Sequence, residues 1–300
     1  MSGASDGASG SGMAAEIGKL LQSPRMCQGA PVVMFTGMGG NRLYGLFLEE
    51  GLLKLHLRLI CVDRPGRGKT TPVVPENLNV LNFADCVLEL LDRLNIEKFG
   101  LMGHSCGCLF AAGLAVRAPE RVRGRMVLLA PWNLVSCPAV RWKLKMLHHL
   151  PGGLVAYGSS LMAAMVGRSA EAGFQDAYGR KFTRDLSDPE RACVSSPRGA
   201  ELHKQAMLIT MAEDGKTAMT NDMLLSLEVY RSSDVHYEDV SIPVIVYHGD
   251  KDNEVPHTCA TWMRDVMPRC EVLIKPGATH SILLDMAFMT DVVLPNFCSE

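Results

Sequence analysis

The sequence has no excess of positive charge: 30 Lys plus Arg stand against 32 Asp plus Glu in 300 residues, a net charge of −2. A protein built to grip nucleic acid normally carries a basic surplus, so no nucleic-acid partner is expected. There is no Cys-x-x-Cys pair. The ten cysteines, at 27, 61, 86, 106, 108, 137, 193, 259, 270 and 298, are scattered, with no Cys/His cluster at zinc-finger spacing. A structural metal is not expected, and free thiols suit a reducing compartment. The N-terminus lacks the basic start and apolar run of a secretory signal, and neither end carries a lipidation motif. Cytoplasm is the default location. Long hydrophobic runs are also missing. Leu150 to Gly167 is uncharged but holds Pro151 and four glycines, which reads as a pair of short apolar helices rather than a membrane span.

What is present points to a folded chain. Hydrophobic residues make up 47% and charged residues 21%, enough for one large domain or a core with an insert. The opening Gly/Ser-rich stretch cannot bury anything, and residues 1–26 are expected to form a flexible tail. Short apolar runs bounded by Gly, Pro or Asp read as buried parallel strands at Val32–Thr36, Leu57–Asp63, Phe99–Gly103, Met126–Ala130, Val244–His248 and Glu271–Lys275. Between them, Ala84, Val87, Leu88, Leu91 and Leu94 share one helical face, with Asn82 as a cap, and Cys106–Arg117 and Thr258–Val266 read likewise. Alternating strands and helices imply an α/β fold, a mostly parallel sheet with helices on both faces. From Trp132 to about Asp239 the rhythm breaks into Met-rich helical segments and irregular loops around Pro189 and Pro197. The expected layout is a core of residues 27–131 and 240–300 with an inserted helical cap of residues 132–239.

The strongest chemical signal is Gly103-His104-Ser105-Cys106-Gly107, between an expected strand and an expected helix. A turn that sharp leaves no room for side chains two residues either side of the serine. It holds the hydroxyl at its tip, beside a helix N-terminus. A serine needs a base to take its proton and an acid to orient the base. Both follow at expected carboxyl ends of strands: Asp252, on a loop shared with Asp250 and Glu254, and His280.

These elements resemble the α/β-hydrolase fold family, in its cap-bearing branch of esterases, lipases and epoxide hydrolases. The resemblance extends to Asp63-Arg64-Pro65-Gly66-Arg67-Gly68, similar to the family's D-x-P-G-x-G loop, and to His248-Gly249-Asp250-Lys251-Asp252-Asn253-Glu254-Val255-Pro256. In the latter loop the family's second aspartate is the acid, which selects Asp252. The turn Thr36-Gly37-Met38-Gly39-Gly40 stands where the family has an oxyanion turn, so the resemblance implies that the amides of Met38 and Cys106 form an oxyanion hole. Thr36 replaces the family's usual histidine, tolerable where backbone amides do the work. About 30 residues precede the first strand, too few and too polar for the usual leading β-hairpin. Either the sheet is shorter, or this N-terminus replaces those strands.

The activity implied is that of a serine hydrolase acting on a small ester or thioester, with Ser105, His280 and Asp252 as catalytic residues and no cofactor. Trp132, Asn133 and Trp142 are candidate pocket walls. A non-catalytic ligand- or partner-binding protein and a lyase or carbon–carbon hydrolase with the same triad remain alternatives, and oligomeric state is open. Other motifs fail. Gly68-Lys69-Thr70 ends like a phosphate loop, but Asp63 occupies the required glycine and Pro72 and Pro75 block the helix. A dinucleotide fingerprint after Gly37 meets Arg42 at its third glycine. His148 and His149 are adjacent, a poor arrangement for metal ligands. Cys106 and Cys108 diverge on a helix and read as small buried hydrophobes rather than a redox pair.

Overall fold

A computed structural model describes residues 29–298 apart from 213 and 214. The expected tail lies outside the described residues. Six parallel strands form one sheet: β1 (Ala30–Phe35), β2 (Leu57–Cys61), β3 (Phe99–His104), β4 (Val122–Leu129), β5 (Val244–Gly249) and β6 (Cys270–Lys275), in the order β2-β1-β3-β4-β5-β6. Among the described residues no strand precedes β1. The chain leaves β1 toward one edge and returns with β3 on its other side. That reversal opens a crevice at the carboxyl ends of β1 and β3.

Period-two alternation sends side chains into two cores. Val33 and Phe35 of β1 face a core shared with α2 (Val80–Arg93), α3 (Gly107–Arg117) and α10 (Thr258–Val266). Val32 and Met34 face a second, with Leu52 of α1 (Glu49–Lys54) and the C-terminal turns carrying Met289, Val293 and Phe297. The outermost strand, β6, is not a buried strand as its apolar run suggested: Leu273 and Ile274 are 42% and 36% exposed at the sheet edge. Helix α2 starts earlier than expected, because Asn79 is its cap and accepts the Asn82 amide at 2.7 Å.

Among the described residues between β4 and β5 run six α-helices: α4 (Trp142–His148), α5 (Gly152–Glu171), α6 (Ala177–Asp185), α7 (Asp188–Ser195), α8 (Pro197–Ala212) and α9 (Gly215–Ser226). Two expectations fail here. Leu150 to Gly167 is not a pair of helices but most of one 20-residue helix, α5. Pro151 precedes its first turn, and each internal glycine costs only about 1 kcal/mol relative to alanine, too little to break a packed helix. Nor do Pro189 and Pro197 mark loops. They sit in the first turns of α7 and α8, where a missing amide hydrogen costs nothing. No helix among the described residues is long and apolar enough to cross a membrane.

Candidate active site

The turn from β3 into α3 bends sharply at Ser105, whose φ of 52° lies in the left-handed region, at a cost of about 1–3 kcal/mol. The Ser105 amide donates to Leu129 O at 2.9 Å, and its carbonyl accepts the amides of Cys108 and Trp132 at 3.0 and 3.1 Å. The glycines are steric requirements. A Cβ on Gly103 would lie 2.7 Å from Cys108 Cα, and one on Gly107 would lie 2.2 Å from Phe35 O. The elbow can therefore approach the end of β1 only because Gly107 has no side chain.

At the tip, His280 Nε2 lies 2.8 Å from Ser105 Oγ, and His280 Nδ1 lies 2.8 Å from Asp252 Oδ2. The network assigns the proton to Nδ1, which donates to Asp252, leaving Nε2 to accept from the serine hydroxyl. Asp252 is held from four sides. Its Oδ1 accepts the amides of Glu254 and Val255, both at 2.8 Å, and its Oδ2 also lies 3.1 Å from His248 Nε2. Asp250 is engaged elsewhere, accepting the Gly277 amide at 2.6 Å. Burial alone would raise the Asp252 pKa, but hydrogen bonds from His248 and His280 and the charge on His280 hold it well below the usual carboxylate range. Burial opposes charge on His280. The Asp252 hydrogen bond and the charges of Glu254, Asp252 and Glu190 outweigh it and raise the His280 pKa above the ordinary imidazole value.

The turn after β1 lies against this constellation. A Cβ on Gly37 would be 3.0 Å from both Ser105 Cβ and His104 Nδ1, so the turn runs close against the Ser105 side chain. The amides of Met38 and Cys106 donate to no other described group. Arg64 fixes the carbonyl side of the turn: its Nη1 donates to Thr36 O, and its Nη2 donates to Gly37 O at 3.0 Å. Arg64 is held in turn by Asp222 of α9, through Nε at 3.2 Å and Nη2 at 2.6 Å, and Arg67 Nη2 donates to the same carboxylate at 2.6 Å. All three side chains are buried. Burial raises the Asp222 pKa on its own account, but the two guanidinium groups bring it below the usual value. The α8 helix adds a second tie: Thr210 Oγ1 donates to Gly39 O at 3.1 Å, and Asn41 Nδ2 donates to Ala206 O at 2.7 Å.

Three further groups bear on the site; Glu254 shares the Asp252 loop in the sequence, whereas Glu190 and the packing of His104 were not evident from sequence. Glu190, fully buried on α7, accepts the amide and hydroxyl of Thr279 at 2.9 and 2.7 Å and so anchors the loop carrying His280. Its capping box with Ser187 is a readable pattern, but the bond to Thr279 is not. His104 Nε2 donates to His280 O at 3.0 Å. Burial and the neighbouring His280 push the His104 pKa down to about 4, so it is neutral at pH 7. Glu254 Oε2 lies 3.7 Å from His280 Nε2.

The candidate pocket residues divide. Trp132 and Asn133 share a narrow crevice with Val140, Leu144 and Val255. Trp142 does not join them: it is 66% exposed on the outer side of α4, with Lys143 Nζ 6.0 Å from its ring centroid. Cys106 and Cys108 are buried, their thiol sulfurs directed to Ser226 Oγ and Leu129 O, both at 3.7 Å. Burial pushes the Cys106 thiol up to about 12. Among the described residues no three His, Cys, Asp or Glu side chains gather as a metal site. A concavity of about 570 Å³, which takes in Arg125, Tyr247, Glu271 and Asn296, opens instead at the amino ends of β4 and β5.

The sequence model of the alpha/beta hydrolase fold family matches residues 30–287. The chain belongs to that family. Among curated relatives of this hydrolase-fold chain, RutD of Agrobacterium fabrum, a proposed carbamate hydrolase, is 38% identical over 105 residues, covering 35% of this chain and 40% of that protein. RutD of Enterobacter cloacae is 29% identical over 271 residues, covering 88% of this chain and 89% of its own. A carboxylesterase structure from the thaumarchaeon Nitrososphaera gargenis shares the fold with a TM-score of 0.62 at 18% identity, covering 89% of each chain.

Proposed function

We propose that this protein is a serine hydrolase that cleaves an ester or thioester of a small to medium apolar substrate through an acyl-enzyme. The observation that carries this reading is the continuous hydrogen-bond chain from Ser105 through His280 to Asp252, with both contacts at 2.8 Å. In the proposed reaction His280 Nε2 takes the hydroxyl proton as Ser105 Oγ bonds to the substrate carbonyl carbon. Asp252 keeps the Nδ1 proton in place and offsets the imidazolium charge. The carbonyl oxygen, now negative, is met by the Met38 and Cys106 amides. His280 returns the proton to the leaving group, and water enters by the same route to release the acid.

Trp132 and Asn133 would line the substrate side. A protein that only binds a ligand has no use for a buried carboxylate aligned on an imidazole aligned on a hydroxyl, which favours turnover. A second reading, carbamate cleavage, is supported by the RutD relatives, since a carbamate offers the same carbonyl to the same nucleophile. The test is a series of p-nitrophenyl esters of increasing chain length, with thioester, carbamate and carbon–carbon substrates alongside and Ser105→Ala as control. Ester or thioester turnover that Ser105→Ala abolishes supports the first reading. Turnover confined to carbamates or carbon–carbon substrates replaces it.

A further inference from the structure

Helix α5 is packed the reverse of an ordinary amphipathic helix. The residues it buries are mostly small: Val155, Ser159, Ala163, Gly167, Ser169 and Ala170. Its large apolar residues point out. With Leu150 just before the helix, Leu154, Tyr157, Leu161 and Met165 are 37%, 54%, 70%, 54% and 49% exposed. At 3.6 residues per turn the four helical ones, Leu154, Tyr157, Leu161 and Met165, fall within an arc of about 80°, opposite the buried row. Helix α4 continues the pattern. Leu144 and Leu147 pack into the same apolar cluster as Val155 and Ala156 of α5, while Trp142 and Met146 face outward, 66% and 59% exposed. The two helices and the turn between them thus present seven large exposed apolar side chains, where scattered single exposures are the rule.

The charge around this surface is one-sided. Residues 131–171 contain Arg141, Lys143, Lys145 and Arg168 against one carboxylate, Glu171 at the last position of α5, in a chain whose net charge is −2. Apolar anchors that include Trp and Tyr, flanked by more cations than anions, complement the boundary between acyl chains and anionic headgroups. A partner protein or a second copy gives no reason for cations to outnumber carboxylates four to one over this stretch. We propose that the outer face of α4 and α5 docks on an anionic phospholipid surface, with Leu154, Tyr157 and Leu161 entering the acyl boundary and the exposed Lys143 and Arg168 meeting the headgroups. This goes beyond the hydrolase reading and does not depend on it.

The test is flotation of the full chain with phosphatidylglycerol–phosphatidylcholine vesicles, compared with phosphatidylcholine alone. Binding is expected to the mixed vesicles and to weaken with salt. The pair Tyr157→Asp and Leu161→Asp should abolish it, and Lys143→Glu with Arg168→Glu should weaken it about tenfold or more. Both pairs alter exposed side chains, so unchanged melting temperatures will show that the fold persists. Trp142 fluorescence should shift to the blue on binding, and the shift should vanish in Trp142→Phe. Failure of the unaltered chain to float would overturn the proposal, as would flotation undisturbed by the substitutions. A dimer by sedimentation equilibrium that Tyr157→Asp and Leu161→Asp dissociate would assign the face to a second copy instead. Vesicle binding gained only on removal of residues 1–28 would assign it to that segment.

Discussion

Replacing Asp222 by asparagine is the sharpest test of how the insertion shapes the site. Its carboxylate accepts from both Arg64 and Arg67, and all three side chains are at most 4% exposed. Nε and Nη1 of Arg67 have no other partner among the described residues. An amide of the same shape would leave two guanidinium charges buried side by side. Removing one partner of a buried pair costs about 3–5 kcal/mol. At roughly 2–4 °C per kcal/mol, the melting temperature should fall by about 6–20 °C. The rate should fall as well. Arg64 binds the carbonyls of Thr36 and Gly37, and without Asp222 it no longer fixes the turn that presents the Met38 amide. Losing one oxyanion donor costs about 10²–10³ in kcat. The assay pairs scanning calorimetry with ester hydrolysis. The triple variant Arg64→Met, Arg67→Met, Asp222→Leu separates the two effects, because apolar side chains of similar volume can restore stability without restoring the turn. A melting temperature within about 2 °C and an unchanged kcat in Asp222→Asn would refute the reasoning.

The acid limb of the pH–rate profile should lie on the alkaline side of free imidazole, because protonated His280 cannot accept the serine proton and its pKa is raised. Glu254→Gln removes a carboxylate 3.7 Å from Nε2 and should move that limb toward lower pH; an unmoved limb would remove Glu254 from the account. Gly107→Ala drives a Cβ to 2.2 Å from Phe35 O, so β1 or the elbow must shift, costing about 3 kcal/mol or more in chemical denaturation. Glu190→Gln keeps the shape but weakens the charge-assisted bonds to Thr279, and should lower kcat more than it raises KM; the reverse split would place Glu190 in substrate binding instead.

How much of this was legible in the sequence depends on the range of the interactions. The six strands could be read because each is a short apolar run between breakers. The elbow could be read because its glycines answer a local steric demand. Ser105, Asp252 and His280 each end or follow a strand, and parallel strands deliver their carboxyl ends to one edge. The hold of Arg64 on the turn after β1 could not be read, because Asp222 lies 158 residues from Arg64 in sequence and their pairing depends on how the helices between β4 and β5 seat on the sheet. The same holds for Glu190 and Thr279, which lie 89 residues apart. Within the insertion, proline and glycine misled: tertiary packing carries α5 through its glycines, and prolines in first turns begin helices rather than end them. Trp142 shows the limit of nearness in sequence. It follows Trp132 by only ten positions, but α4 turns it outward.

The central claim is that Ser105 is an activated nucleophile. Reaction with a fluorophosphonate probe, followed by peptide mapping, tests it directly, because the probe phosphonylates a serine only where a base removes its proton. The account predicts a single adduct on Ser105, lost in Ser105→Ala and in His280→Ala. A folded protein that takes no label, or one labelled as fully in His280→Ala, would contradict it.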